Sequence, residues 1–246
     1  MPTAVITGSS RGIGRATALR YARDGYDVTV NYVSNEAAAE DTAAEIHRET
    51  DREALVVQAD VGDPAAAVGL VDSAVDAFGG VDHVVNNAGI DQHVHTADLS
   101  PEDFDRVMDT NVNGAFAVTK AALPWLREST VPEGPSVVNM SSVLAHTGAA
   151  IECHYAASKA ALIALTKSHA SDFAPDIRVN AIAPGHVVTE MMTEDRSEET
   201  LAELEAAVPL ERFGRPADIA EAAAYLRDAQ FVTGETLNVN GGELMV

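Results

Sequence analysis

Tyr155 and Lys159 stand four residues apart in IECHYAASKAALIALTKS, residues 151–168, a stretch with helical spacing. Four residues make about one helical turn, so both side chains share a face with Cβ atoms ~5–6 Å apart. A phenol with an ordinary pKa of about 10 is a fair proton donor to an alkoxide, and a neighbouring ammonium favours its phenolate. Together they form an acid/base pair able to work in either direction. Any amphipathic helix can carry a Tyr and a Lys, so the pair needs support from elsewhere in the chain. Lysine is scarce here: Lys159 and Lys167 are two of only three, against thirteen arginines.

A second chemical feature lies near the start. TGSSRGIG places Gly8, Gly12 and Gly14 between an apolar strand and a helical stretch. In a strand–turn–helix unit such glycines let backbone approach a pyrophosphate and offer it a helix amino terminus. Gly8 allows the turn, Gly12 the close approach and Gly14 the packing of helix on strand.

The elements that must position these residues alternate along the chain. Apolar strands are expected at TAVITG, DVTVNYV, ALVVQADV, VDHVVNNAG, SVVNMSS, IRVNAIAPG and TLNVNGG. Helices are expected behind the glycine turn, from Asn35 to Glu49, from Asp63 to Phe78, as one long helix over LSPEDFDRVMDTNVNGAFAVTKAALPWLRES, and over the Tyr155 stretch. Ser100, Pro101 and Asp103 supply an N-cap, a proline at N1 and an acid at N3 for the long helix. Strands apolar throughout and separated by helices imply an α/β fold: a doubly wound, Rossmann-like parallel sheet of about seven strands with helices on both faces. The 246 residues fit one domain. Residues 186–214 are long and irregular, follow a strand's carboxyl end, and are expected to form a mobile substrate lid with a small helix.

The glycine spacing, with Thr7 before it, resembles the short-chain dehydrogenase/reductase family, closest to its β-ketoacyl-thioester reductase branch, and the resemblance covers nearly the whole chain in order. Asp60 and Val61 stand where the family contacts adenine, and Asn86-Asn87-Ala88-Gly89 follow the fourth strand. Asn111 lies in TNVNG, and Pro184, Gly185 and Thr189 match the nicotinamide motif, with Val188 inside it. Ser142 stands thirteen residues before Tyr155, the family's spacing, with Ser141 one position off it. The resemblance implies hydride transfer between a nicotinamide cofactor and a carbonyl or secondary alcohol. Ser142 would orient the carbonyl, Tyr155 move the proton, Lys159 favour the phenolate and hold the ribose, and Asn111 hold a water linking Lys159 to solvent. The turn residues Gly8, Ser10, Arg11, Gly12, Ile13 and Gly14, together with Asn87, Ala88 and Gly89, would hold the cofactor. The second strand ends in Asn31 and Tyr32, where an acid would select a free ribose hydroxyl. With Arg11 nearby, NADP(H) is expected, and Glu36 downstream keeps NAD(H) open. A nucleotide-binding sensor or scaffold without catalysis would be marked by a broken tetrad, and all four members are present.

Composition bounds the rest. No apolar run approaches the roughly 18 residues that span a bilayer, no export signal is visible, and one cysteine, Cys153, suits a reducing cytoplasm. Cys153 reads as a helix-start residue rather than a nucleophile. A net charge of -22 with acids scattered through the helices argues against nucleic acid and suits a salt-rich cytoplasm. The acidic IDQHVHTADLSPEDFD stretch weakens an acyl-carrier-protein substrate and leaves coenzyme A thioesters, small ketones, polyols and sugars. The alternating His93 and His95 beside Asp91 could bind a metal, but no third ligand is implied and the chemistry needs none, so no metal is expected and these residues are expected to line the substrate mouth. His146, His154 and His186 are candidates for shaping the substrate mouth, and Lys167 is a plain helix residue. The helices of Asn111 and Tyr155 are apolar on more than one face. In the family they pair subunits, as does the GETLNVNGGELMV tail, so a homotetramer is expected.

Overall fold

A computed structural model of the chain describes residues 1–193 and 197–246. Seven strands among them, β1 (Thr3–Ile6), β2 (Asp27–Tyr32), β3 (Ala54–Gln58), β4 (His83–Asn86), β5 (Ser136–Met140), β6 (Arg178–Pro184) and β7 (Thr236–Val239), form one parallel sheet in the order β3-β2-β1-β4-β5-β6-β7. Every residue of β1, β2, β4, β5 and β6 is buried, while edge strands β3 and β7 are only half-buried. That is why the inner strands are largely apolar on both faces, with buried polar residues such as Asn31, His83, Asn139 and Asn180 hydrogen-bonded among them.

Neighbouring strand residues feed opposite cores. Ile6, Val30, Val85, Val138 and Ile182 pack with α1 (Gly12–Arg23), α2 (Glu36–Glu49) and α10 (Pro216–Asp228). Val5, Val84, Val137 and Val179 pack with α3 (Pro64–Phe78), α5 (Gly114–Glu128) and α7 (Cys153–Phe173). Asn35 caps α2 by accepting from Ala38 N at 3.1 Å, and Asp63 caps α3 ahead of Pro64. Ser100 caps α4 (Pro101–Met108) as its spacing predicts, accepting from Asp103 N at 3.1 Å.

The structure departs from the periodic reading in four places. The long helix is interrupted by a π-turn at Asp109–Asn113, which divides α4 from α5 and carries Asn111. A short α6 (Leu144–Thr147) follows β5, and α10 is a full helix that the strand–helix reading omits. Residues 186–214, the expected lid, hold two helices among the described residues, α8 (Glu190–Thr193) and α9 (Glu198–Ala207), rather than one. Residues 194–196 of that stretch lie outside the described residues.

At the amino ends of the strands, away from the glycine turn, sits a buried polar network. His83 bridges Ser136 Oγ at 2.9 Å and Glu133 Oε1 at 3.3 Å, and the Tyr26 hydroxyl donates to Glu133. The Arg227 guanidinium lies over the rings of Tyr21 and Tyr26, 4.7 and 4.4 Å from their centroids. Among the described residues no helix is long and apolar enough to cross a membrane.

Candidate active site

The chain crosses the sheet between β3 and β4, so the strand order reverses between β1 and β4, the position at which open α/β sheets place their ligand crevice. A cleft of about 710 Å³ opens there. Gly8 has φ +61°, and a Cβ on it would lie 3.0 Å from Ala88 Cα. Thr7 Oγ1 accepts from Asn87 N at 3.0 Å and Ala88 N at 2.9 Å, while Asn87 Nδ2 donates to the carbonyls of Thr7 and Gly8. The glycine turn and the N-N-A-G turn are thereby strapped together.

Gly14 packs where expected, since a Cβ there would fall 2.3 Å from Gly8 O. Behind the turn, the amino end of α1 has no side-chain cap and no acid in its first turn, so its N–H groups remain suited to an anion. An open glycine cradle, an uncapped helix and a cleft of this size together fit a dinucleotide.

Asn31 differs from its expected role. It is buried, its Oδ1 accepts from Gly8 N at 2.9 Å, and its Nδ2 donates to Ala59 O at 3.0 Å and Val57 O at 3.3 Å. Its amide fastens the glycine turn to β2 and β3, although its surface still reaches the cleft. Beyond it the wall is made by Tyr32, Val33, Ser34 and Asn35. Local desolvation and then the nearby Glu36 carboxylate raise the Tyr32 pKa. Arg11 is exposed and paired with Glu190 rather than turned toward Tyr32.

Gly8, Ser10, Arg11, Gly12, Ile13, Asp60, Val61, Asn87, Ala88, Gly89, Pro184, Gly185 and Thr189 also line the cleft, as do Ser142, Tyr155 and Lys159. Val188 does not: it lies half-exposed on a neighbouring hollow with Arg15 and Arg215.

The tetrad converges at the carboxyl ends of β4 and β5. Lys159 is buried and its Nζ donates to Met140 O at 2.8 Å, lying 5.3 Å from the Tyr155 ring centroid. Ser141, the neighbour one position off the spacing, holds the helix by donating to Lys159 O at 2.8 Å. Burial lowers the Lys159 pKa to about 8, opposed by the Asp91 carboxylate. Tyr155 moves the other way: desolvation, then Asp91, then Glu152 push its phenol up, and a hydrogen bond with Ser142 pulls it partly back. Burial and the two carboxylates, rather than the expected downward pull of Lys159, set the direction for the phenol.

Asn111 lies behind the cleft wall, accepting from Ile90 N at 2.8 Å and donating to Ile90 O and Ser158 Oγ at 3.0 Å. It splints the π-turn to the loop after β4 and to α7. Gly89 sits between it and the lysine: a Cβ on Gly89 would lie 3.3 Å from both Asn111 Oδ1 and Lys159 Nζ.

The carboxylates Glu152 and Glu243 of the cleft wall escaped the sequence reading, while Asp91, His93 and His186 line the cleft mouth as expected. Asp91, His93 and Glu152 offer ligand-type atoms within 4.8 Å of one another, Glu152 being the third partner that the DQHVH alternation does not reveal. Across the cleft, His186 Nδ1 lies 3.0 Å from Glu243 Oε1, and against the upward push of burial it holds that carboxyl below its usual range. His154 is fully buried beside Phe104, while His95 and His146 are exposed and line no part of the cleft. Cys153 opens α7, and Lys167 is exposed.

Comparisons with known proteins bear on this arrangement. A family model described as enoyl-(acyl carrier protein) reductase matches residues 8–243. The chain is 38% identical over 247 residues to a 3-oxoacyl-(acyl-carrier-protein) reductase of Staphylococcus aureus, covering 99% of this chain and 98% of that one. Among solved structures, a blue fluorescent protein from a metagenomic library in complex with NADPH is 36% identical with a TM-score of 0.90, covering 99% and 98% of the two chains. A glucose/ribitol dehydrogenase from Brucella melitensis is 34% identical with a TM-score of 0.91, covering 100% of this chain and 97% of that one.

Proposed function

The chain belongs to the short-chain dehydrogenase/reductase family, and we propose that this oxidoreductase interconverts a carbonyl and a secondary alcohol with Tyr155 as the proton donor and acceptor. The observation that carries the reading is the meeting of Ser142, Tyr155 and Lys159 on one wall of the glycine-turn cleft. When bound, the nicotinamide supplies or takes up the hydride.

In reduction the Ser142 hydroxyl holds the carbonyl oxygen, and Tyr155 donates its proton there as negative charge grows. A phenol held in its protonated form by burial suits that donor role. The phenolate left behind is stabilised by the Lys159 ammonium and regains its proton through it. In oxidation the same proton moves from the alcohol to Tyr155. Asn111 supports this by fixing the loop that carries Gly89 and Ile90 against α7. Gly8, Ser10, Arg11, Gly12 and Ile13 would hold the cofactor's phosphates, Asp60 and Val61 its adenine, and Asn87 to Gly89, Pro184, Gly185, Thr189 and Lys159 its nicotinamide half.

NADP(H) is favoured over NAD(H), because β2 ends without a carboxylate and Arg11 is tied only by an exposed ion pair. Such pairs contribute little in water, so the guanidinium can turn to a 2′-phosphate. A 3-oxoacyl thioester is the favoured substrate from the likeness to the S. aureus reductase. A sugar or polyol is the second reading, supported by Asp91, Glu152 and Glu243, acceptors lining the cleft that complement substrate hydroxyls.

The seven strands of one sheet support a single binding and catalytic domain, with residues 186–214 as its lid. The single cysteine supports a cytoplasmic location. Phe116 on α5 and Ala157 and Ala164 on α7 face outward, and Phe231, Met245 and Val246 are exposed near the carboxyl end. These two apolar surfaces support a homotetramer.

The reading is tested by a panel of 3-oxoacyl thioesters, ketones, polyols and sugars with NADPH and NADH, at low and molar salt. Turnover is expected with a lower KM for NADPH. No change in cofactor absorbance with any of them would return the chain to a binding or scaffold role.

A further inference from the structure

The loop after β4 and the start of α7 bring together three side chains that the tetrad does not use. His93 Nε2 lies 3.4 Å from Asp91 Oδ2 and 3.1 Å from Glu152 Oε1. The three ligand-type atoms fall within 4.8 Å of one another, and among the described residues no other group of three His, Cys, Asp or Glu does so. All three residues line the cleft.

Their positions are fixed from several sides. Val94 N donates to Ile151 O at 2.7 Å, which joins the neighbour of His93 to the neighbour of Glu152. From α4, Arg106 Nη2 donates to Gln92 Oε1 at 3.0 Å. Asp91 Oδ1 accepts from Gln92 N at 2.7 Å, which leaves Oδ2 as the oxygen toward His93. Glu152 is buried at the N-cap of α7. Contacts of this outer kind are what orient the ligands of a metal site before the ion arrives.

The spacing suits an ion better than it suits a hydrogen-bonded cluster. One Nε2–H serves one carboxylate, and the separation from Asp91 exceeds the usual N–H···O range of about 2.7–3.2 Å. A tetrahedral ion with bonds of about 2.0–2.1 Å holds neighbouring ligand atoms about 3.3–3.4 Å apart. Two carboxylates and a neutral imidazole carry two negative charges, which a dication cancels. Calcium prefers six or more oxygens at longer range, whereas an imidazole among carboxylates suits zinc and its first-row neighbours.

We propose that Asp91, His93 and Glu152 hold a divalent transition-metal ion of the zinc class, with a fourth position open to the cleft. Glu152 is the third ligand, and only the fold supplies it. The fourth position takes water or an oxygen of a bound molecule, as in zinc sites with three protein ligands. The site stands on its own geometry and does not depend on Tyr155 being the proton donor.

The test is zinc binding by the chelator-stripped, full-length enzyme in molar KCl, where the diffuse attraction of a chain of charge -22 for cations is screened. Calorimetry is expected to count one strong site per chain, and cobalt in place of zinc to give the intense visible bands of a four-coordinate ion. His93→Ala and Glu152→Gln should each weaken the site by about tenfold or more, since even changes outside the ligand set cost about 10–100-fold. His95→Ala alters an exposed imidazole that lines no part of the cleft, and should leave the site intact. Zinc should raise the thermal midpoint of the unaltered enzyme and of His95→Ala, and not that of His93→Ala. No strong site in the unaltered enzyme, or zinc affinities of His93→Ala and Glu152→Gln equal to its own, overturns the proposal. Should either variant fail to fold, the cobalt spectrum of the unaltered enzyme decides, and a spectrum without four-coordinate bands overturns it. None of these measurements reads turnover, so failure here leaves the reaction assignment standing, and a silent substrate panel leaves the metal site standing.

Discussion

Removing the Tyr155 hydroxyl takes away a proton donor while leaving the ring, the helix and the glycine turn in place. Tyr155→Phe is expected to lower kcat by about 10²–10⁴-fold, with NADPH affinity, followed by fluorescence titration, essentially unchanged. Near-normal turnover in that variant would remove Tyr155 from the chemistry. At this scale the sequence is informative, because a helical turn fixes the Tyr155 to Lys159 spacing and the strand end fixes Ser142 on the same wall. What spacing cannot express is convergence. Asp91 and Glu152 are separated in the chain by α4, the π-turn, α5, β5 and α6, and only the fold brings both to His93. Asn31 likewise occupies the expected place, but its amide is consumed by Gly8, Val57 and Ala59. A residue's position in a motif does not say which of its hydrogen bonds are already committed.

The alternation identified all seven strands, edges included, and the helices α1, α2, α3 and α7, ran α4 and α5 together, and passed over α10 despite its capping box. The break at Asp109–Asn113 was hidden, because a π-turn widens one turn of a helix without disturbing its composition. Gly114 marks it in retrospect: a Cβ there would lie 2.8 Å from Val61 O, so α5 must pass close to the loop after β3. At the other end of the sheet, Glu133 ties the β5 side to β2 and β4 through Tyr26 and His83. The hydrogen bond from His83, then that from Tyr26, lowers its carboxyl to about 2. A carboxyl depressed on folding contributes stability above its unfolded pKa and loses it as pH falls toward the folded value. Glu133→Ala is therefore expected to cost about 1–3 kcal/mol in urea unfolding at pH 7. The gap should narrow as pH drops from about 4.5 toward about 2. A gap that is constant over that range would mean that the carboxylate charge is not what His83 and Tyr26 require.

Over the whole molecule, 38 acids against 16 bases leave a net charge of -22. Like charge at that density opposes compactness, and molar salt screens it to about 3 Å. The thermal midpoint is expected to rise steadily with KCl, and Phe116→Asp to shrink the particle seen by light scattering at every salt concentration. A midpoint indifferent to salt would speak against adaptation to a salt-rich interior. The seam between β1 and β4 carries a further consequence, one of timing. The strap from Thr7 to Asn87 joins residues 80 apart in the chain, so a chain leaving the ribosome can assemble β1, β2 and β3 while one flank of β1 is still open. The nucleotide crevice does not exist until β4 docks there. Cofactor in the surrounding solution therefore acts as a selective ligand for the completed sheet and draws the seam shut by mass action.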